Sequence, residues 1–168
     1  MKSNRTIRLS LFTALTLLMT FLLFTLSGCG GPTSDMPFNG DMTFHDVSLH
    51  VDDRFVRDST QSNEDTWIFE RGYYKEYVIL THWVSDLNPD SFIPDYADDM
   101  RSEGGNAQIK DFLGKDAVFS TYTKDGIFCQ DVFFYHNGAY YGISLRGGTE
   151  EGFLELISTV TLLHTAEL

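Results

Sequence analysis

The residues best equipped for chemistry in this 168-residue sequence are two cysteines, a scatter of histidines and the run Asp86-Leu87-Asn88-Pro89-Asp90. That run sets side-chain oxygens at the first, third and fifth positions of a calcium loop. It then departs from the pattern, with Ser91 where the loop needs glycine and Ala97 where a bidentate glutamate should complete the shell. It reads as an Asx-rich turn entering a helix. His45 and His50 have opposite parity on one expected strand and so point to opposite faces, while His82 and His136 belong to separate elements, so no metal site and no cofactor is expected. Cys129, in an expected central strand, reads as an inert small hydrophobe. No His-Glu-x-x-His, Cys-x-x-Cys, Gly-x-Ser-x-Gly or Gly-x-x-x-x-Gly-Lys pattern occurs, so no catalytic residue is expected and the sequence points away from an enzyme. Trp67, Tyr74, Trp83 and Tyr141 are the candidates to line a ligand cleft, although the same residue types suit cross-strand packing.

The other cysteine, Cys29, stands in a different context. Lys2, Arg5 and Arg8 precede an uncharged run from Leu9 to Leu26, which ends in Leu26-Ser27-Gly28-Cys29. This order resembles the lipobox of bacterial lipoprotein signal peptides: an aliphatic residue, two small residues that fit the signal peptidase, and a cysteine whose sulfur receives diacylglycerol. The resemblance implies a signal peptide over residues 1–28, recognised at Leu26, Ser27 and Gly28, and a membrane partner reached through diacylglyceryl-modified Cys29. Two acyl chains, at roughly 0.8 kcal/mol per buried CH₂, hold a protein stably without a transmembrane helix. Residues 29–40 lack periodicity and read as a tether. The net charge of −12 divides unevenly, because all 24 acids lie after Gly28 and three of the 12 bases before it, so the exported part carries −15. A chain this acidic, with no basic stripe, is not expected to bind nucleic acid.

The elements that must position any site follow from residue periodicity. Val47, Leu49 and Val51 alternate with polar residues as in a half-buried strand. Thr66 to Glu70 and Tyr73 to Val84, rich in aromatic and β-branched residues and split by Arg71-Gly72, predict a hairpin. Lys115 to Lys124, Ile127 to His136 and Ala139 to Arg146, separated by Asp125-Gly126 and Asn137-Gly138, predict three consecutive antiparallel strands joined by type I′ turns. The middle strand is apolar on both faces, which requires layers on both sides of the sheet. Ser91 is the expected cap of a helix bearing Phe92, Ile93, Tyr96, Ala97 and Met100, ended by Gly104-Gly105. Thr149 is the expected cap of a second, with Phe153, Leu156, Ile157, Val160 and Leu163 at helical spacing. The fold class is α+β: a mainly antiparallel sheet flanked by two main helices, in one domain over residues 41–168.

A first strand over Phe44 to Val51 leading into Asp53-Arg54-Phe55, a hairpin, a helix over Ser91 to Arg101, a small-residue turn, and the meander Ala117 to Arg146 closed by a helix resemble the PsbP-like α/β/α sandwich. The resemblance covers nearly all of Asp41 to Leu163 and rests on element order. It implies a binding or scaffold module and carries no common active residues. The sequence is therefore read as a monomeric lipoprotein on the extracytoplasmic side of the cell membrane, a non-catalytic module for an envelope protein or a small ligand. The second reading is a small-molecule or cation receptor with an aromatic and acidic cleft, and the third a carboxylate-dependent envelope hydrolase.

Overall fold

The computed structural model describes residues 40–72 and 75–163. Three tight turns set the main meander. Asp125 and Gly126 take φ of 53° and 77°, and Asn137 and Gly138 take 47° and 82°, the left-handed pairs that a type I′ turn needs. They join β7 (Lys115–Lys124), β8 (Ile127–His136) and β9 (Ala139–Arg146) with the expected bounds. Leu113 and Gly114, at 55° and 78°, make the same kind of turn between β6 (Asn106–Phe112) and β7. The strand β6 is an addition to the sequence reading. Its central residues Gln108 to Asp111 are all exposed, so no alternation marks it, and leucine replaces the Asn or Asp that usually announces such a turn.

The seven-stranded antiparallel sheet runs β3-β4-β5-β9-β8-β7-β6, with β3 (Val56–Arg57), β4 (Thr66–Arg71) and β5 (Glu76–Val84) completing it. Charged side chains on the outer strand β6 discourage pairing with a further chain. A three-stranded sheet, β1 (Asp41–Phe44), β2 (Val47–His50) and β10 (Thr161–Leu162), lies in the order β1-β2-β10. Together with helix α2 (Glu150–Ser158) it covers one face of the large sheet. There Met42, Phe44, Val47, Leu49, Phe153, Leu156 and Ile157 close over Phe69, Val78, Leu80, Val132, Phe134, Tyr141 and Ile143 in the main core. Helix α1 (Pro89–Ser102) covers the opposite face, with Phe92 and Tyr96 against Phe133 and Tyr140. The α+β class and the two covered faces are as expected. No helix among the described residues is long and apolar enough to cross a membrane.

Three local expectations are corrected. The single strand over Phe44 to Val51 is instead a hairpin, with Phe44 paired to Val47 across a His45-Asp46 turn. His45 adopts φ 52° there, so it and His50 do not share a strand. The second helix stops at Ser158 rather than running through Leu163. The β-branched run Thr159-Val160-Thr161 is poor in helix propensity, and Val160 still reaches the core, 5% exposed, as the chain turns into β10.

The first helix begins three residues before its expected start, because Asn88 rather than Ser91 is the cap. The Asn88 side chain accepts the Asp90 N–H at 3.1 Å, Pro89 fills the first helical position where its missing N–H costs nothing, and Ser91 Oγ donates to the Asn88 carbonyl from inside the first turn. Asn88→Ala is therefore expected to cost about 1 kcal/mol of stability in chemical denaturation, and Ser91→Ala clearly less. A larger loss for Ser91→Ala would contradict this cap.

Candidate functional site

The hairpin turn that carries His45 meets the β4–β5 pair at one end of the sandwich. His82 sits in β5 opposite Tyr141 of β9, so its side chain lies on the face of the main core. Asp65 directly precedes β4. Its carbonyl accepts the His82 N–H at 2.9 Å and its own N–H donates to Asn63 Oδ1 at 2.9 Å, which fixes the backbone behind its carboxylate. Tyr141 ties the turn to the sheet, since its hydroxyl accepts the Asp46 backbone N–H.

These three elements bring His45, Asp65 and His82 together. Asp65 Oδ1 is 3.0 Å from His82 Nδ1 and 4.0 Å from His45 Nε2. The two imidazoles stack with centroids 3.7 Å apart and planes 16° from parallel. His45 Nε2 also donates to the Glu64 carbonyl at 3.0 Å. The cluster is graded outward: the His82 side chain is 11% exposed, His45 28% and Asp65 64%. Behind it the rings of Phe44 and Tyr141 lie 6.4 and 5.2 Å from His82 and exclude water from that side. Two imidazoles and a carboxylate can ligate a cation or accept and donate hydrogen bonds at a small polar ligand.

Parity along one strand could not reveal this cluster. The residues come from three segments, and the His-Asp turn that swings His45 toward His82 lacks the glycine or Asn-Gly pair by which such turns are recognised. The register of β5 on β9 is the missing information.

The aromatic candidates separate. Trp67 and Tyr141 lie on the face of the main core. Trp67 is half-buried beside Phe44, with the Arg57 guanidinium 4.0 Å over its ring, while Tyr141 is 2% exposed and stacks on Phe134 at 5.6 Å. Trp83 is on the opposite face, 5.5 Å from both Tyr140 and Phe92. These three do not converge on one cleft. Tyr74 lies outside the described residues, as do Leu26, Ser27, Gly28 and Cys29.

Under α1 the same sheet buries a second polar group. Asp131 of β8 faces Ser120 on one side and Ser144 on the other, with Arg146 and Cys129 one pair further along. Burial pushes the Asp131 carboxyl up, and hydrogen bonds from Ser144 and Tyr122 with the nearby Arg146 charge only partly offset it. Burial likewise raises the Cys129 thiol. Both side chains are shut in, at 8% and 1% exposure. A carboxyl whose ionised form burial disfavours and a thiol held away from solvent are poor groups for attack on an outside substrate.

With this geometry in hand, comparison with solved proteins places the architecture. The solution structure of cyanobacterial PsbP (CyanoP) from Synechocystis sp. PCC 6803 superimposes with a TM-score of 0.50 at 11% identity, over 82% of this chain and 99% of that one. The fold is PsbP-like. A crystal structure from Bacteroides thetaiotaomicron VPI-5482 matches at a TM-score of 0.53 and 12% identity, over 73% of this chain. The chain spans about half of that protein, 47% of its length. The sequence matches no protein-family model and no curated protein. At such identities the likeness concerns the fold. Residue roles in this PsbP-like domain therefore rest on its own side chains.

Proposed function

We propose that this chain is an extracytoplasmic lipoprotein whose PsbP-like domain is a binding module without a catalytic step. In this reading, cleavage after Gly28 leaves Cys29 as the first residue, a diacylglyceryl group on its sulfur enters the membrane, and residues 29–40 carry the domain clear of the headgroups. The net −15 of the exported part favours that stand-off, since it is repelled by anionic lipid. One observation carries the binding half. Among the described residues, the three ligating side chains that gather within reach of one another open to solvent through Asp65 and His45, whereas the buried carboxyl and thiol of the sheet are shut in. A site reached from outside, without an activated nucleophile, suits recognition.

The anchor is tested by feeding cells a fatty-acid probe. The native chain is expected to take up label and sediment with membranes, and Cys29→Ala is expected to lose both. Label retained by Cys29→Ala would refute the assignment. The receptor reading gains from the His45–Asp65–His82 cluster, which the sequence reading did not anticipate.

A further inference from the structure

We propose that His45, Asp65 and His82 form a binding site for a divalent transition-metal ion of the zinc class. This deepens the binding-module reading and rests on it for its biological meaning. The ligand atoms of the three residues all lie within 4.8 Å of one another. A tetrahedral zinc with bonds of about 2.0–2.1 Å holds neighbouring ligand atoms roughly 3.3 Å apart. His82 Nδ1 and Asp65 Oδ1, at 3.0 Å, already meet that spacing, while His45 Nε2, 4.0 Å from Asp65 Oδ1 and within 4.8 Å of the His82 donor, has to move in toward both. The side chain that has to move belongs to a turn residue, while His82, which has least freedom, is fixed in the sheet.

The chemistry of the donors sets the class of ion. Two imidazoles and one carboxylate suit zinc, nickel, cobalt or copper, whereas calcium and magnesium favour shells built from oxygen alone. Three protein ligands leave a fourth position, and the exposure of Asp65 points it toward solvent, as in a site that exchanges its ion or shares it with an outside ligand. Ligation through His45 Nε2 takes the imidazole in the tautomer protonated at Nδ1, so the proton moves between ring nitrogens and the hydrogen bond to the Glu64 carbonyl is given up. His45 is held at φ 52° in the turn, and the two rings, stacked without the ion, turn out of parallel so that each presents an in-plane nitrogen to it.

The experiment is calorimetric titration of the full chain, held in detergent, with zinc chloride, accompanied by the visible spectrum of the cobalt(II) form. One saturable site is expected, with cobalt absorption of four-coordinate intensity. His45→Gly suits the left-handed backbone and removes the imidazole, so it should fold at least as stably as the native chain yet bind zinc at least about 100-fold more weakly. His82→Gln and Asp65→Asn should weaken binding similarly. His50→Ala, which removes the separate His50–Asp41 pair at 2.7 Å, should leave it unchanged. Zinc binding that survives in both His45→Gly and His82→Gln, or a native chain that takes up no zinc at millimolar concentration, would overturn the site. Such failure with Cys29 labelling intact would remove the ion while leaving the anchored module standing.

Discussion

Tyr141→Ala is expected to lower the unfolding free energy by about 3–5 kcal/mol, the range for deleting a large ring from a packed core. The residue is 2% exposed, stacks on Phe134 at 5.6 Å and lies 5.2 Å from His82. Its neighbours belong to strands paired on both sides, β5 and β8, so they are not free to close the cavity. Tyr141→Phe isolates the hydroxyl. Losing its bond to the Asp46 N–H should cost about 0.5–1.5 kcal/mol and loosen the turn that carries His45. Urea unfolding of the three proteins checks both numbers. A loss below about 1 kcal/mol for Tyr141→Ala would mean that the ring faces a cleft, as a ligand-stacking tyrosine would, and is not part of the core.

Arg146→Met should be comparably damaging through a different mechanism. Arg146 is 8% exposed and its charge opposes the burial that raises the Asp131 carboxyl. Removing this nearby charge leaves the buried carboxyl uncompensated, with the roughly 3–5 kcal/mol loss of a broken buried pair as the upper bound. The pH dependence has a definite sign. Since the folded carboxyl titrates above its ordinary value of 3.8, the unfolded chain ionises first as pH rises, and stability falls from about there until the folded pKa is passed. Without Arg146 the folded pKa climbs further, so the deficit of Arg146→Met should be greatest near neutrality and shrink toward pH 4. Adding Asp131→Leu to Arg146→Met should recover most of the loss, as replacing both partners leaves no buried charge. Thermal melts of the two variants across that pH interval measure this, and a deficit independent of pH would contradict it.

The sequence made the meander legible because Asp125-Gly126 and Asn137-Gly138 encode their turns locally, and because β7, β8 and β9 alternate or saturate with apolar residues. It also specified the Thr149 cap, whose hydroxyl accepts the Gly152 N–H at 3.1 Å. Less was legible where a local signal was shared or absent. Asn88 and Ser91 are both competent caps, and Pro89 favours the first. The outer strand β6 has no buried face for most of its length. The candidate site depends on neither composition nor motif. It exists because a turn without glycine folds β1 back on β2, and because the β5–β9 register aims His82 at that turn. Long-range juxtaposition of that kind leaves no periodic trace in a single chain. The reverse holds for the proposed anchor, whose supporting features, charge, apolar length, small residues and cysteine, are all consecutive in the sequence.

The central proposal is that this acidic PsbP-like domain is held on the extracytoplasmic side of the membrane by a lipid attached to Cys29. The intact mass of the full-length gene product, extracted from membranes, tests it most directly. The account predicts a chain beginning at Cys29 and heavier than its residues by a diacylglyceryl group. A mass equal to the unmodified chain from Met1, with a free Cys29 thiol, would contradict it.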